Sequence, residues 1–583
     1  MSLTTTIKTI QDIMRKDVGV DGDAQRIGQL VWMLFLKILD EREKDWEVEE
    51  DYVSPLPPDY RWRDWAAPEQ DKDQLTGNKL IAFVNNNLLP TLKDSNKLRS
   101  KNGLHRVIVG VFQGATNKMQ SGTLLRQVVN KIEEGIHFES MRDRQHLGDI
   151  YEKILRDLQS AGNAGEFYTP RAVTRFAIDR LAPKLGEAII DPACGTGGFL
   201  GDSINYIQEH NELKTVGDRA KLQKAIHGYE VKPLPHMLAV TNMILHGIDA
   251  PANIQKRDTL SRYKDWSEKF DIVVTNPPFG GVVQDGTESD LPKDYQTKET
   301  ADLFLFFIVN KMLADEGRCA IVLPDGFLFG EGMKSRLKEK LLAECNLHTV
   351  VRLPNGVFSP YTGIKTNILF FRKGKPTEAI WFYEHPYPEG YKNYSKTRPM
   401  LFEEFETERA WWGDEETDFA KRVETEYAWK VDFKAEKEEA FAKAKPHYEK
   451  HAKLEKDIED CTVQIKSLTQ ENKDRNTQVR KNAASKKELD AIERQARDND
   501  TEISNLRKRV TKINRQAKDE KAAGDRLKYA VYNLDRKNPH TTTEEVLDPD
   551  KLLQEYKELQ EAIVQTQKLL KDELAAALLR GVE

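Results

Sequence analysis

The sequence predicts an α/β protein: a doubly wound core between an N-terminal helical bundle and a C-terminal coiled-coil, helical extension. Three observations carry this. Between about residues 147 and 375, short β-rich apolar runs alternate with amphipathic helical stretches, the pattern of a mainly parallel sheet covered on both faces. Before that region, apolar residues recur at helical spacing. From Leu454 onward they recur in heptads.

Composition bounds the answer. At 583 residues the chain is too long for one ordinary domain, and its 32% of charged residues exceeds the usual ~25%, which points to a long solvated helix. The 89 basic and 95 acidic residues leave a net charge of −6. That excludes a protein that coats nucleic acid by bulk charge and leaves only a local basic groove or a partner chain. Cys194, Cys319, Cys345 and Cys461 lie far apart, which speaks against a disulfide scaffold or cysteine-rich metal site and fits a reducing compartment. No secretory signal is visible, and the longest apolar stretch, Leu30 to Leu39, is broken by Lys37 and falls well short of the ~20 residues that span a bilayer. A cytoplasmic chain without a membrane segment or metal is expected.

Residues 1–145 read as a helical domain: Leu30, Met33, Leu34, Ile38 and Leu39, and again Leu124, Val128 and Ile132, mark buried helix faces around an irregular Pro- and Trp-bearing stretch from Ser54 to Trp65. Residues 146–385 hold the core. Its expected strands are 188–191, 225–230, 270–274, 319–323, 348–351 and 367–371, with helices over Asp302 to Leu313 and Lys334 to Leu342. Residues 386–449 read as an irregular connector. In 450–535 one heptad phase runs through Leu454, Ile458, Cys461, Ile465 and Leu468, and a second through Leu489, Ile492, Ala496, Ile503, Leu506, Val510 and Ile513. The phase breaks near 482–487, so two helices folded back as an antiparallel hairpin are expected, one continuous helix with a stutter being the alternative. After a capping candidate at Thr541 to Glu544, residues 541–583 read as a last helix that docks a partner.

Two motifs carry the chemistry. Asp191-Pro192-Ala193-Cys194-Gly195-Thr196-Gly197-Gly198-Phe199 follows an apolar strand and precedes a helix. Its glycines permit a sharp turn and close approach of a ligand to the backbone, at the crevice where doubly wound sheets bind nucleotides. An acid precedes the glycines and neither G-x-G-x-x-G nor a P-loop is present, so a phosphate cradle is not expected. The second motif, Asn276-Pro277-Pro278-Phe279, also ends an apolar strand. An exocyclic amine fits it: the Asn276 carboxamide and the Pro277 carbonyl can accept two N–H bonds, and Phe279 offers a stacking face.

With both motifs in this order, the chain resembles the modification (M) subunits of type I restriction–modification systems, N6-adenine DNA methyltransferases with a Rossmann-like core. The resemblance implies S-adenosylmethionine as cofactor. It implies that Phe167, Tyr168, Thr169 and Pro170, in the run from Gly165, contact its methionine part. Asp191, Ala193, Gly195, Thr196, Gly197, Gly198 and Phe199 would form the central cofactor loop, Glu230 would bind the ribose hydroxyls, and Asp258 would lie near the cofactor adenine. Asn276, Pro277, Pro278 and Phe279 would be catalytic, and Thr362 to Asn367 would lie close to the target base. Cys194 is not placed in a Pro-Cys motif and reads as packing.

The mechanism so implied is direct in-line methyl transfer to a base rotated out of duplex DNA, without a covalent enzyme intermediate or a tuned general base. No further domain reads base edges, so sequence choice is expected from a specificity (S) subunit. A second M subunit in an M2S-like assembly and a motor-nuclease (R) subunit for restriction are implied by the family. The cluster Arg507, Lys508, Arg509, Lys512 and Arg515 reads first as a solvated helical face, with phosphate contact as the other reading. The alternatives are a methyltransferase acting on RNA or a protein glutamine, and a non-catalytic coiled-coil scaffold.

Overall fold

The computed structural model describes residues 3–48, 51–67, 74–99, 103–135, 168–281, 291–359, 362–395, 397–481, 486–540 and 549–580. Gly165 to Phe167 and Thr541 to Glu544 lie outside the described residues.

Helices α1 (Leu3–Met14), α2 (Gly22–Trp46), α3 (Leu104–Phe112) and α4 (Gly122–Gly135) build the N-terminal region. The stripe from Leu30 to Leu39 is buried throughout. Lys37, which interrupts it, is buried as well, and its ammonium is held by Glu41 and Glu133 at 2.7 and 2.8 Å. Trp62 donates to the same Glu133 at 2.7 Å, folding the irregular stretch onto the bundle. Arg42 and Trp46 of α2 reach Asp249 of the core at 2.7 and 3.1 Å. One apolar cluster is continuous from the bundle to one face of the sheet, and a second covers the other face.

The sheet has nine strands: β1 (Ile189–Asp191), β2 (Ile226–Glu230), β3 (Ile254–Lys256), β4 (Phe270–Thr275), β5 (Leu313–Pro324), β6 (Cys345–Arg352), β7 (Thr366–Lys373), β8 (Ile380–Glu384) and β9 (Ala428–Val431). Their spatial order is β3-β2-β1-β4-β5-β7-β6-β8-β9. Five pairings are parallel; β7 runs antiparallel between β5 and β6, and β9 runs antiparallel to β8. The chain winds β1 to β3 on one side and returns at β4, so the switch point lies between β1 and β4. Helices α5 (Arg171–Leu181), α6 (Gly198–His210), α7 (Pro233–Leu245), α8 (Thr300–Phe307) and α9 (Met333–Glu344) accompany it.

Several boundaries differ from expectation. The helix expected through Leu313 ends in a π-helical turn at Met312, because Leu313 already pairs with Phe270 in the sheet. The connector over 386–449 is not irregular throughout: Trp429 of β9 stacks on Phe382 at 5.5 Å, and helix α10 (Phe433–Lys481) begins well before Leu454. Pro446 lies inside that helix, and the polar composition of its first turns hides it in the sequence.

Helix α10 is followed by α11 (Lys486–Ala530), and the two run antiparallel. Tyr448 bonds Asp525 at 2.8 Å, His451 bonds the Ala517 carbonyl at 3.0 Å, and Asn472 bonds Asp500 at 2.9 Å: rising numbers on one helix meet falling numbers on the other. Cys461, Ile503, Leu506, Ile513 and Ala517 are buried in the seam. Helix α12 (Pro549–Arg580) exposes Leu553, Tyr556, Ile563 and Leu570 by more than half. Among the described residues no helix is long and apolar enough to cross a membrane.

Candidate active site

Both motifs sit on neighbouring strand tips at the switch point, where ligands bind doubly wound sheets. Ile190 pairs with Val273, so Asp191 ends β1 level with Val274, and Asn276 follows two residues further along the neighbouring strand tip. Burial pushes the Asp191 carboxyl up to about 7, and the nearby Glu230 carboxylate adds to the rise. The Ala193 N–H donates to Asp191 at 3.1 Å. Gly197 has φ 79°, and a Cβ there would meet Met243 Cε at 3.2 Å and Ala239 at 3.4 Å. Both the backbone angle and the close approach of α7 therefore require glycine.

Glu230, at the tip of β2, accepts the Gly195 N–H at 3.1 Å and the Lys232 N–H at 2.7 Å. Burial raises its carboxyl above the ordinary range. Asp258 follows β3 and accepts the Leu260 N–H at 3.0 Å. Thr259 donates to the Pro192 carbonyl at 2.6 Å, drawing this loop onto the glycine turn. Cys194 is buried under β2, its thiol held neutral by burial, which agrees with a packing role. Phe199 is buried beneath the turn as the second residue of α6.

The Asn276 carboxamide is oriented. Its Nδ2 donates to Thr169 Oγ1 at 3.0 Å, while its buried Oδ1 has no partner. Pro277 is buried, Pro278 exposed and Phe279 half-buried. The Phe279 ring meets Phe358 edge-on at 6.5 Å. Beyond the loop opens a cavity of about 440 Å³ lined by Gly280, Gly281, Glu299 and Lys334.

The structure thus gathers Tyr168 to Pro170, the glycine turn, Glu230, Asp258 and Asn276 to Phe279 at one edge. Phe167 lies outside the described residues. Residues that the motifs did not reveal complete the frame. Arg171 donates to the Gly198 carbonyl at 3.0 Å and to Asp202 at 3.1 Å. Asn242 of α7 donates to the Thr196 and Gly197 carbonyls at 3.2 and 3.3 Å. Thr169 and Arg171, two residues apart, therefore tie the β4 tip to the β1 tip. Only the position of Arg171 directly after Thr169-Pro170 could have drawn attention to it. In the downstream segment, Lys365 accepts the Asp325 N–H at 2.9 Å through its carbonyl, and Asn367 donates to Asp325 at 2.7 Å.

The donor set fits a nucleoside carrying an amino-acid tail: an acid at the first strand tip, an acid at the second, a glycine turn that a Cβ would fill, and an orphaned acceptor at the third. Among the described residues no cluster of His, Cys, Asp or Glu is placed to hold a metal ion.

Comparison with known proteins identifies the family. The N-6 DNA methylase family model matches residues 142–457, and the HsdM N-terminal domain model matches residues 3–132. The chain is 58% identical over 433 residues to the type I restriction enzyme EcoEI methylase subunit of Escherichia coli, covering 74% of this chain and 87% of that one. It is 28% identical to the EcoKI methylase subunit of Escherichia coli K12, covering 70% and 75%. A crystal structure of a modification subunit attributed to a type I restriction enzyme of Vibrio vulnificus YJ016 superposes with TM-score 0.65 at 42% identity, covering 74% and 91%. A chain from a structure of type I system complex assembly and conformational transition gives TM-score 0.66 at 30% identity, covering 98% of both. The chain therefore belongs to the N-6 DNA methylase family, as the adenine-N6 methyltransferase (modification) subunit of a type I restriction–modification system.

Proposed function

We propose that this subunit holds S-adenosylmethionine over the β1 and β2 tips and presents Asn276 to an adenine rotated out of duplex DNA. The observation that carries this reading is the buried, unpartnered Asn276 Oδ1. A buried acceptor without a donor costs about 1–3 kcal/mol, and a substrate N–H removes that cost. When bound, the cofactor supplies an electrophilic sulfonium methyl.

The chain's own residues do the rest. Asp191, once ionised, meets the cationic amine of the cofactor's amino-acid tail, Glu230 receives the ribose hydroxyls, and Asp258 lies towards the adenine. Tyr168, Thr169 and Pro170 flank the methionine part, with Phe167 beside them in sequence. Ala193, Gly195, Thr196, Gly197, Gly198 and Phe199 form the turn beneath it. Asn276 Oδ1 and the Pro277 carbonyl accept the two N–H bonds of the target amine, which localises the nitrogen lone pair. Pro278 stiffens the corner, and Phe279, with Phe358 at its edge, stacks on the base. Thr169 keeps Nδ2 of Asn276 engaged, so that Oδ1 and not the amide N–H faces the amine. Holding these groups in line is an orientation effect.

Sequence choice belongs to a separate S subunit. Tyr556, Ile563 and Leu570 of α12, seven residues apart on one exposed face, suit a helical partner. Two modification subunits around one S subunit form the methylating assembly, a motor-nuclease R subunit adds restriction, and the whole works in the cytoplasm. The domains divide as 1–145, 146–385, 386–449, 450–535 and 541–583, with the sheet's last strand and the first turns of α10 inside the third.

Transfer of labelled methyl groups to duplex DNA, with and without an S chain, tests this reading. Label on N6 of adenine that depends on the S chain is the expected result. Label on RNA or on protein glutamine, and never on DNA, overturns it.

A further inference from the structure

The α10–α11 hairpin has no part in the site described above, yet one stretch of it is chemically unlike the rest. From Ile503 to Lys518 there is no acidic residue, and Arg507, Lys508, Arg509, Lys512, Arg515 and Lys518 are all exposed. Elsewhere on the hairpin acidic residues are interspersed with the cations, and several of these pair: Lys450 with Glu520, Arg475 with Glu471 at 3.4 Å, Arg497 with Glu493 at 3.2 Å and Lys528 with Glu339 at 2.7 Å. None of the six has an ion-pair partner among the described residues. The opposing stretch of α10 is mixed, with Glu455, Asp457, Glu459 and Asp460 among Lys453 and Lys456.

The seam residues Ile503, Leu506, Ile513 and Ala517 face α10. At 100° per residue, Lys508, Lys512 and Arg515 fall together on the side opposite that seam, one on each successive turn. The other outward or flanking residues are Ser504, Asn505, Thr511, Asn514 and Gln516. Every residue of this face is a hydrogen-bond donor of the kind that contacts phosphate and sugar, and no aromatic or aliphatic side chain interrupts it. A protein-binding surface would need an apolar or aromatic centre. Between the helices a groove of about 530 Å³ opens beside it, lined by Thr469, Asn472, Ser504, Arg507, Lys508 and Thr511 together with Asp500 and the seam residue Ile503.

The arm's base ties this face to the catalytic edge. The Leu534 N–H donates to the Leu328 carbonyl at 3.0 Å. Arg352, the last residue of β6, donates to the Arg536 carbonyl at 2.8 Å and to Asp535 at 2.7 Å. Leu328 follows β5, the strand next to the one that carries Asn276. Arg515 lies 15 residues from the end of α11, about 22 Å along the helix at 1.5 Å per residue.

We propose that the outward face of α11 around Lys508, Lys512 and Arg515 is a nucleic-acid contact surface, which grips the phosphate backbone of duplex DNA away from the methylated base and without reading sequence. The proposal rests on the DNA-methylating reading above. The net charge of −6 makes such a local patch the means by which an acidic chain holds a polyanion.

The test uses the full chain, assembled with its S subunit, and a fluorescent 40-base-pair duplex. The variant Lys508→Gln/Lys512→Gln/Arg515→Gln is compared with Glu455→Gln/Asp457→Asn/Glu459→Gln, which alters charge on the opposing helix. For the first variant the slope of log binding constant against log salt becomes shallower by about 2.7, ~0.9 for each phosphate no longer neutralised, and affinity at low salt falls roughly tenfold or more. The second variant keeps the parent slope. Cofactor affinity, read separately by calorimetry, is the same in all three. An unchanged slope in the first variant overturns the proposal. So does an unchanged slope with loss of S-subunit assembly, which would assign the face to a protein. If the parent itself transfers no methyl to DNA, the underlying reading fails instead.

Discussion

Glu230, the last residue of β2, accepts the backbone N–H of Gly195 in the turn after β1, 3.1 Å away. The two residues are 35 positions apart in sequence and are joined because β1 and β2 are parallel neighbours in register. That bond fixes the glycine turn before any ligand arrives. It also holds Glu230 beside Asp191, two acids in one buried crevice, each raised by burial. A site that keeps two carboxyls so close is poised for a cationic, hydroxyl-bearing ligand.

The pH dependence of cofactor affinity follows from Asp191. Its carboxyl titrates near 7 in the unliganded fold, so about a tenth is ionised at pH 6 and half at pH 7. If the ionised form receives the cofactor amine, affinity for S-adenosylmethionine tightens about fivefold from pH 6 to 7. Calorimetry checks this, and Asp191→Asn binds weakly with a flat profile. Stability moves the opposite way. The folded chain holds this proton to about 7, against 3.8 for an ordinary aspartate side chain. The contribution is therefore full below pH 3.8 and is lost as pH rises through 7.

Removing the oriented acceptor separates binding from chemistry. Asn276→Ala lowers kcat by roughly 10²–10³, the loss seen when one preorganised hydrogen-bonding group is deleted. Cofactor affinity changes little. Equal kcat at saturating substrate with a weakened cofactor complex would contradict the role given to Asn276.

The Thr169 hydroxyl acts through Asn276. Thr169→Val keeps the shape but removes the partner of Nδ2, leaving the carboxamide free to rotate. It lowers kcat roughly tenfold, while KM for DNA changes less. Thr169→Ser, which keeps the hydroxyl, restores most of the rate. Equal activity of the two variants would leave the hydrogen bond without a function.

Glycine positions give a contrast that thermal unfolding and cofactor binding can read together. Gly197→Ala places a Cβ against Met243 and Ala239 at a φ of 79°. It costs about 1–3 kcal/mol and disrupts the cofactor turn. Gly28→Ala, inside α2 with open space around it, stabilises by about 0.5–1 kcal/mol and leaves methyl transfer unchanged.

The core was legible in the sequence because its strands are apolar on both faces and its turns carry glycine and proline where the backbone demands them. The runs at 189–191, 226–230 and 270–275 needed only local pattern. Elements with little local signal were not legible. β3 is three residues long with two of them exposed, and β9 is four residues that become a strand only against β8. The antiparallel insertion of β7 is invisible to periodicity, since strand direction is set by partners distant in sequence.

By itself the sequence determined the doubly wound class, the two motif-bearing turns and the helical arms, because backbone sterics and hydrophobic periodicity are local properties of a chain. Only the tertiary structure decided which groups work together: that Thr169 engages one end of the Asn276 amide and leaves the other open, that Glu230 closes the turn at Gly195, and that Lys508, Lys512 and Arg515 face away from the α10 seam without an ion-pair partner among the described residues. Those outcomes depend on contacts between residues up to 107 positions apart, which arise when strands pair and helices pack.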